Sequence, residues 1–321
     1  MTEQEIREAL PTEAVGRVKA VTLRNETATL VVDAGGLSRP QAEKLEQAIQ
    51  ARIGSLEGIA TVRVALMADK VTRRIIAVGS GKGGVGKSTL TANLAVALAR
   101  MGRKVGIVDA DVYGPSQPML LDAENQRPQA RDQTLLPVES EFGVRLLSMG
   151  QLVEPGRAIA WRGPMVGSAL GQMMEADWGD SELLLVDLPP GTGDVQLTML
   201  QRFRPAGAVI VTTPQDLALI DATRALNLFK QAGVPIVGIV ENMAGYACPH
   251  CGEVSDPFGS GGAEAAARAL GEEFLGRVPL AMEIRIASDA GRPPAAGDAP
   301  QGEPFAAIAA RLAAWLDKEG R

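Results

Sequence analysis

Aromatic residues make up only 3% of the 321-residue chain, which also has two cysteines, Cys248 and Cys251, and a single histidine, His250. Two cysteines in one Cys-Pro-His-Cys unit cannot build the disulfide framework of a small secreted domain, so both belong to one site. No long basic run occurs, and 32 Lys+Arg against 38 Asp+Glu leave a formal charge of -6. Nucleic acid and anionic membrane are disfavoured as partners, because neutralising phosphates needs clustered cations. No apolar run approaches the ~20 residues of a membrane span. The N-terminus lacks the basic-then-apolar order of a secretory signal. These absences predict a cytoplasmic protein.

Hydrophobic residues reach 46% and charged residues 22%, a globular balance with an aliphatic core. At about 150 residues per domain the length suggests roughly two domains. Residues 1–68 read as a small α-β-β-α-β unit. A short helix precedes strand-like runs at Val15 to Leu23 and Thr27 to Asp33. Ser38 is a candidate cap for a helix carrying Leu45, Ala48, Ile49, Ile53 and Leu56, and a last strand spans Ile59 to Leu66. Ala68-Asp69-Lys70 is the expected linker to a second domain, 69–321. There, short apolar runs at Ile75 to Val78, Val105 to Val108, Val144 to Leu147, Leu183 to Val186, Ala208 to Val211 and Ile236 to Val240 alternate with helical patterns. That alternation predicts an α/β fold with a doubly wound, mostly parallel sheet. The polar stretch Asp122 to Glu141 is expected to be an excursion, and Phe305, Ile308, Leu312 and Leu316 mark a final amphipathic helix.

Gly81-Lys82-Gly83-Gly84-Val85-Gly86-Lys87-Ser88 satisfies the Walker A pattern between a predicted strand and a helix marked by Leu90, Leu94, Ala97 and Leu98. Glycines let backbone N–H groups converge on phosphate oxygens, Lys87 neutralises phosphate charge, and Ser88 is the expected magnesium ligand. Thr89 continues the motif. Asp109 and Asp111 follow a strand at the ligand-binding edge of a parallel sheet, where they either face metal and water or cap a turn. Asp187 ends the run Leu183 to Val186 in the Walker B arrangement and can hold magnesium's hydration shell. A breaker-rich loop, Leu188 to Asp194, comes next. Asn242 offers an amide to a purine edge, with Arg277 to Leu280, including Pro279, as the other wall. No Asn-Lys-x-Asp guanine motif occurs, so ATP is expected rather than GTP.

Thiolate sites for zinc or iron-sulfur clusters need about four ligands, and this chain has two cysteines. A redox dithiol, half a zinc site with His250, and a two-fold dimer pooling two pairs all remain open, the last using the arithmetic best.

The extra Lys82 resembles the lysine of the deviant Walker A class that includes MinD and ParA ATPases. Over about residues 74 to 318 the chain resembles the Mrp/ApbC-type iron-sulfur cluster carriers, through the phosphate loop, Asp-Ala-Asp-Val-Tyr-Gly-Pro-Ser at 109–116, Asp-Leu-Pro-Pro-Gly-Thr-Gly-Asp at 187–194, Glu-Asn-Met at 241–243, the Cys-Pro-His-Cys-Gly unit and Asp256-Pro257-Phe258-Gly259. The N-terminal unit resembles a MIP18-like domain, here without cysteine. The resemblance implies a P-loop NTPase fold and a homodimer in which Lys82 reaches the facing subunit's nucleotide. It further implies that Asp111 orients water, that Asn242 contacts adenine, and that Cys248 and Cys251 of both subunits bridge a [4Fe-4S] cluster. ATP, Mg2+ and the cluster are the implied cofactors. A cluster-assembly scaffold and apo iron-sulfur proteins are the implied partners. Competing readings are a MinD/ParA-type positioning switch and a nucleotide-regulated zinc scaffold.

Overall fold

The computed structural model describes residues 2–35, 37, 39–67, 73–131, 134–152, 163–248 and 250–319. Ser38, the linker at 68–70 and Pro249 lie outside the described residues. The chain divides into two compact units, Met1–Thr72 and Arg73–Arg321.

In the first unit, helix α1 (Glu3–Glu8) is started by Thr2, which forms a reciprocal capping box with Glu5. Strands β1 (Val18–Arg24) and β2 (Thr27–Asp33) form an antiparallel hairpin. Its turn residues Asn25 and Glu26 both have positive φ, 45° and 61°, as a tight hairpin turn matched to strand twist requires. Helix α2 (Arg39–Gly54) then carries the chain to β3 (Thr61–Met67), which pairs parallel with β2. The strand expected from Val15 begins at Val18 instead, because Gly16, at φ 86°, and a preceding 3-10 turn hold the chain out of the sheet. Ile6, Leu30, Ile49 and Ile53 form the buried centre of this unit.

The second unit is built on β4 (Arg74–Gly79), α3 (Lys87–Arg100), β5 (Val105–Asp109), α4 (Gln117–Leu120), β6 (Gln129–Arg131), β7 (Thr134–Leu136), β8 (Val138–Glu139), β9 (Val144–Ser148), α5 (Gly163–Met174), β10 (Leu183–Asp187), α6 (Asp194–Thr198), β11 (Gly207–Thr212), α7 (Asp216–Gln231), β12 (Ile236–Ala247), β13 (Val254–Ser255), α8 (Gly262–Leu270), β14 (Phe274–Leu280), α9 (Met282–Asp289) and α10 (Glu303–Glu319). The main sheet runs β13-β12-β11-β4-β10-β5-β9-β8, with β14 also on β12. Its core pairs are parallel, while β8 and β13 add antiparallel edges. The polar stretch before β9 forms the β6–β7 hairpin and the edge strand β8.

Side chains alternate across these strands with period two, so each face packs its own layer. Ile76, Val78, Ile107 and Leu185 meet Leu90, Leu94 and Leu98 of α3 and Phe305, Ile308 and Leu312 of α10. Ala77, Val108, Leu184 and Val186 meet Leu170 and Met173 of α5 and Leu226 and Phe229 of α7. Both faces are therefore dry, which is why these strands read as unbroken aliphatic runs. Among the described residues no helix is long and apolar enough to cross a membrane.

Candidate nucleotide site and thiol hairpin

Strand register assembles the first part of the site. β10 lies between β4 and β5, with Asp187 opposite both Val78 and Asp109, and Asp109 is in turn opposite Ser148 on β9. Three polar side chains thus line up along the carboxyl edge of the sheet. Residues 80–86 leave the same edge of β4 and turn into α3. Gly84 and Gly86 take φ 77° and 79°, a region L side chains rarely adopt. A Cβ at Gly86 would stand 2.1 Å from Asn242 Nδ2, and one at Gly81 would stand 2.1 Å from the Asp221 carbonyl. These glycines let the loop approach its neighbours closely, while the space beside Gly84 is open.

Lys87 is buried and forms an ion pair with Asp187 Oδ1, and its Nζ lies 3.4 Å from Ser88 Oγ and 4.0 Å from Asp111 Oδ2. Thr91 Oγ1 donates to the Lys87 carbonyl at 2.9 Å and approaches Asp187 Oδ1 at 3.5 Å. Gln117 Nε2 donates to Asp187 Oδ2 at 2.8 Å and to the Ser88 carbonyl at 3.0 Å. Thr89 sits in the first turn of α3, its carbonyl accepting from Asn93 Nδ2 at 2.8 Å.

Asp109 is fully buried; Oδ2 accepts from Ser148 Oγ at 2.9 Å and from the Gln117 N–H at 3.1 Å. Burial, reinforced by the nearby Asp187 carboxylate, pushes its pKa up to about 7 against these donors and Lys87. Asp111 stands differently. Its Oδ1 accepts from the N–H groups of Tyr113 and Gly114 at 3.1 and 3.3 Å, capping a turn, while Oδ2 remains on the Lys87 side. The two carboxylates therefore stand in different surroundings, Asp109 bonded along the sheet edge and Asp111 capping the following turn.

Lys82 reaches sideways within its own chain, with Nζ 3.1 Å from Gln215 Oε1, which also accepts from Thr213 Oγ1 at 2.9 Å. The loop after β10 is tied to the phosphate loop. Gly191 N–H donates to the Ser80 carbonyl at 2.9 Å, and Gln196 Nε2 bonds the Pro189 and Gly191 carbonyls. Asn242 Nδ2 donates to the Val85 carbonyl at 2.8 Å, so its donor serves the loop. Exposed Pro279 follows Val278, the residue that pairs with Asn242 across β12 and β14.

The backbone curvature, the buried lysine and the serine and carboxylate around it fit a magnesium nucleotide. Ser88 and Asp187 would hold the ion and Lys87 the phosphates, the ion supplying charge neutralisation there.

β12 continues past Asn242 to Ala247, seven residues beyond the expected end at Val240, and pairs antiparallel with β13. Cys248 and Cys251 lie in the turn between them. Cys248 N–H donates to the Glu253 carbonyl at 2.9 Å, and Gly252, at φ 74°, returns its N–H to the Cys248 carbonyl at 2.8 Å. The backbone N–H groups of His250 and Cys251 point at the Cys248 sulfur and hold its pKa below the ordinary thiol range, helped by the Cys251 thiol. Cys251 is exposed. Among the described residues no group of three or more His, Cys, Asp or Glu could hold a metal ion within one chain.

Sequence reasoning passed over Gln117, Thr91, Ser148 and Gln215, and took in Glu241 only as part of the Glu-Asn-Met motif, with no role of its own. Glu241 is fully buried, accepting from Arg277 Nε at 2.9 Å and from the Ala263 N–H at 2.8 Å, and so ties β14 and α8 to β12, the strand that leads into the thiol turn. Its position directly before Asn242 was the available signal.

Residues 71–313 match the ParA model described as NUBPL iron-transfer P-loop NTPase. The iron-sulfur cluster carrier protein of Pseudomonas fragi is 50% identical over 244 residues, covering 75% of this chain and 84% of that protein. The carrier protein of Deinococcus radiodurans is 42% identical over 293 residues, covering 87% of this chain and 82% of the relative. Among solved structures, a nucleotide-binding protein from Archaeoglobus fulgidus in complex with ADP superposes with a TM-score of 0.63 at 40% identity, covering 72% of this chain and 91% of that one. MinD of Pyrococcus horikoshii shares the fold, with a TM-score of 0.57 at 24% identity over 77% of this chain and 98% of its own. With that fold, that loop and these relatives, the chain belongs to the Mrp/ApbC-like iron-sulfur cluster carriers of the ParA/MinD class of P-loop ATPases.

Proposed function

We propose that the protein is an ATP-hydrolysing carrier that assembles a [4Fe-4S] cluster between two copies of the chain and delivers it to apo-proteins. The observation that carries this reading is the course of β12. Asn242 on this strand holds the Val85 carbonyl of the phosphate loop, and the same strand runs on to Ala247, the residue directly before Cys248. A change at the nucleotide has a direct covalent path to the thiols.

Each chain offers two thiolates where a cluster needs four ligands, so a two-fold dimer completes the set and its opening removes half of it. That makes the cargo labile, as transfer requires. Lys87 and Ser88 hold triphosphate and magnesium, Asp187 steadies the hydrated ion, and Asp111 orients the attacking water. Lys82, released from Gln215, reaches the nucleotide of the facing subunit. Asn242, through its side-chain oxygen, and Pro279 border the base. Residues 1–68 form a MIP18-like accessory domain. A scaffold donates the cluster, and neither membrane nor nucleic acid takes part.

The test is anaerobic reconstitution with iron and sulfide, measuring iron per dimer and the visible spectrum for the parent and for Cys248→Ala/Cys251→Ala. About four irons per dimer with charge-transfer absorption, both lost in the variant, is the expected result. Zinc held tightly in place of iron would sink the carrier reading.

A further inference from the structure

Gln117 is fully buried, and every hydrogen it has to donate is engaged around the ion's expected position. Its backbone N–H goes to Asp109 Oδ2, and its Nε2 goes to both Asp187 Oδ2 and the Ser88 carbonyl. Both Nε2 partners are pure acceptors, so the orientation of the amide is forced: nitrogen toward the carboxylate, oxygen away. That leaves Oε1 buried and without a hydrogen-bond partner. A buried acceptor without a partner has lost its bond to water and gained nothing in exchange. Nothing in the packing of α4 demands an amide here, since neighbouring Pro118 and Leu120 bury apolar side chains.

The orphan acceptor belongs to the same amide whose nitrogen holds Asp187 and the Ser88 carbonyl, so the side chain bonds the two residues expected to hold the ion and keeps one buried acceptor unused. Resting on the reading of this loop as a magnesium-nucleotide site, we propose that Gln117 is a magnesium-positioning residue. Its Nε2 fixes the Asp187 carboxylate, and its Oε1 accepts a hydrogen bond from a water of the ion's hydration shell. Residues that orient metal ligands from the outer shell typically govern metal affinity by 10- to 100-fold without touching the metal. Gln117 also explains how Asp187 stays aimed once Lys87 turns from it to phosphate: the bond to Oδ2 is independent of the one to Oδ1.

The test separates the ion from the nucleotide. Gln117→Leu and Gln117→Met are prepared, and the one whose thermal unfolding stays nearer the parent's is used. Affinity for a non-hydrolysable ATP analogue is measured with EDTA and with magnesium, and Mn2+ binding to the protein–analogue complex is followed by electron paramagnetic resonance. The expected result is metal-free analogue affinity within about twofold of the parent and Mn2+ affinity lower by about 10-fold or more. Full retention of Mn2+ affinity overturns the proposal. So does an equal loss with and without metal, the pattern of a purely structural brace. A parent protein that binds the analogue with no dependence on metal overturns the nucleotide-site reading itself, a result visible before any variant is compared.

Discussion

Lys87 and Asp187 are joined in a buried ion pair, with side-chain exposures of 6% and 0%. Asp187 also accepts from Gln117 Nε2 through its other carboxylate oxygen, at 2.8 Å. Removing one partner of such a pair strands the other charge and typically costs about 3–5 kcal/mol. Lys87→Met should therefore lower the unfolding free energy by about that amount in nucleotide-free protein, on top of abolishing phosphate binding. The double variant Lys87→Met/Asp187→Asn should lose less than the two single losses added together. Urea unfolding of the four proteins measures this, and additive losses would show that the two side chains do not couple.

Asp109 gives the fold a pH dependence of defined sign. Its folded pKa is raised to about 7, by burial first and by Asp187 second. An unfolded aspartate titrates near ~3.9. Between those values the folded state binds more protons than the unfolded one, so the contribution is present at low pH and is lost as pH rises through about 7. The limiting slope is ~1.4 kcal/mol per pH unit for one proton. Asp109→Asn removes that slope. Relative to the parent, the variant should gain stability between about pH 5 and about pH 7.5. Denaturant titrations of nucleotide- and magnesium-free protein at both values check it, and parallel pH profiles would contradict it.

Much of this arrangement is legible in the sequence because a strand buried on both faces has no polar positions to blur its limits. The run Leu183 to Val186 ends in Asp187, and the run Val105 to Val108 ends in Asp109, so the chemistry sits where the apolar pattern stops. The extension of β12 is different. Glu241 to Ala247 mixes acid, amide, glycine and tyrosine, and these residues are strand because β13 and β14 pair with them, a tertiary fact absent from any local window. Gln117 and Ser148 are hidden for the same reason. Each is an ordinary polar residue until strand order brings it beside Asp109. Asp111 shows the limit of spacing arguments: two carboxylates two residues apart end up in different environments once the strand stops at Asp109.

Gly81 and Gly84 separate crowding from backbone strain within one loop. A Cβ at Gly81 would collide with the Asp221 backbone carbonyl at 2.1 Å, whereas at Gly84 nothing lies within 4 Å but φ is 77°. Gly84→Ala should cost about 1–2 kcal/mol, the left-handed penalty alone. Gly81→Ala must displace α7 and should cost more, with loss of nucleotide affinity. Thermal unfolding with and without nucleotide ranks the two, and equal costs would show that α7 yields freely.

The thiol hairpin predicts chemistry as well as geometry. Thiolate, not thiol, captures iron and reacts with alkylating agents, so a lowered pKa raises the reactive fraction at neutral pH. In Cys248 that lowering comes from the backbone N–H groups of His250 and Cys251, and is therefore a property of the turn's conformation. The turn in turn depends on Gly252, whose φ of 74° is strained for any other residue although the space around it is open. In a Cys251→Ser background, the alkylation rate of Cys248 should rise with an inflection below the ~8.5 of a free thiol. Adding Gly252→Ala should move that inflection back toward the free value without a steric clash. Mass spectrometry of alkylated peptides across pH reads both. An inflection at or above the free value would mean that the backbone donors do not hold the sulfur.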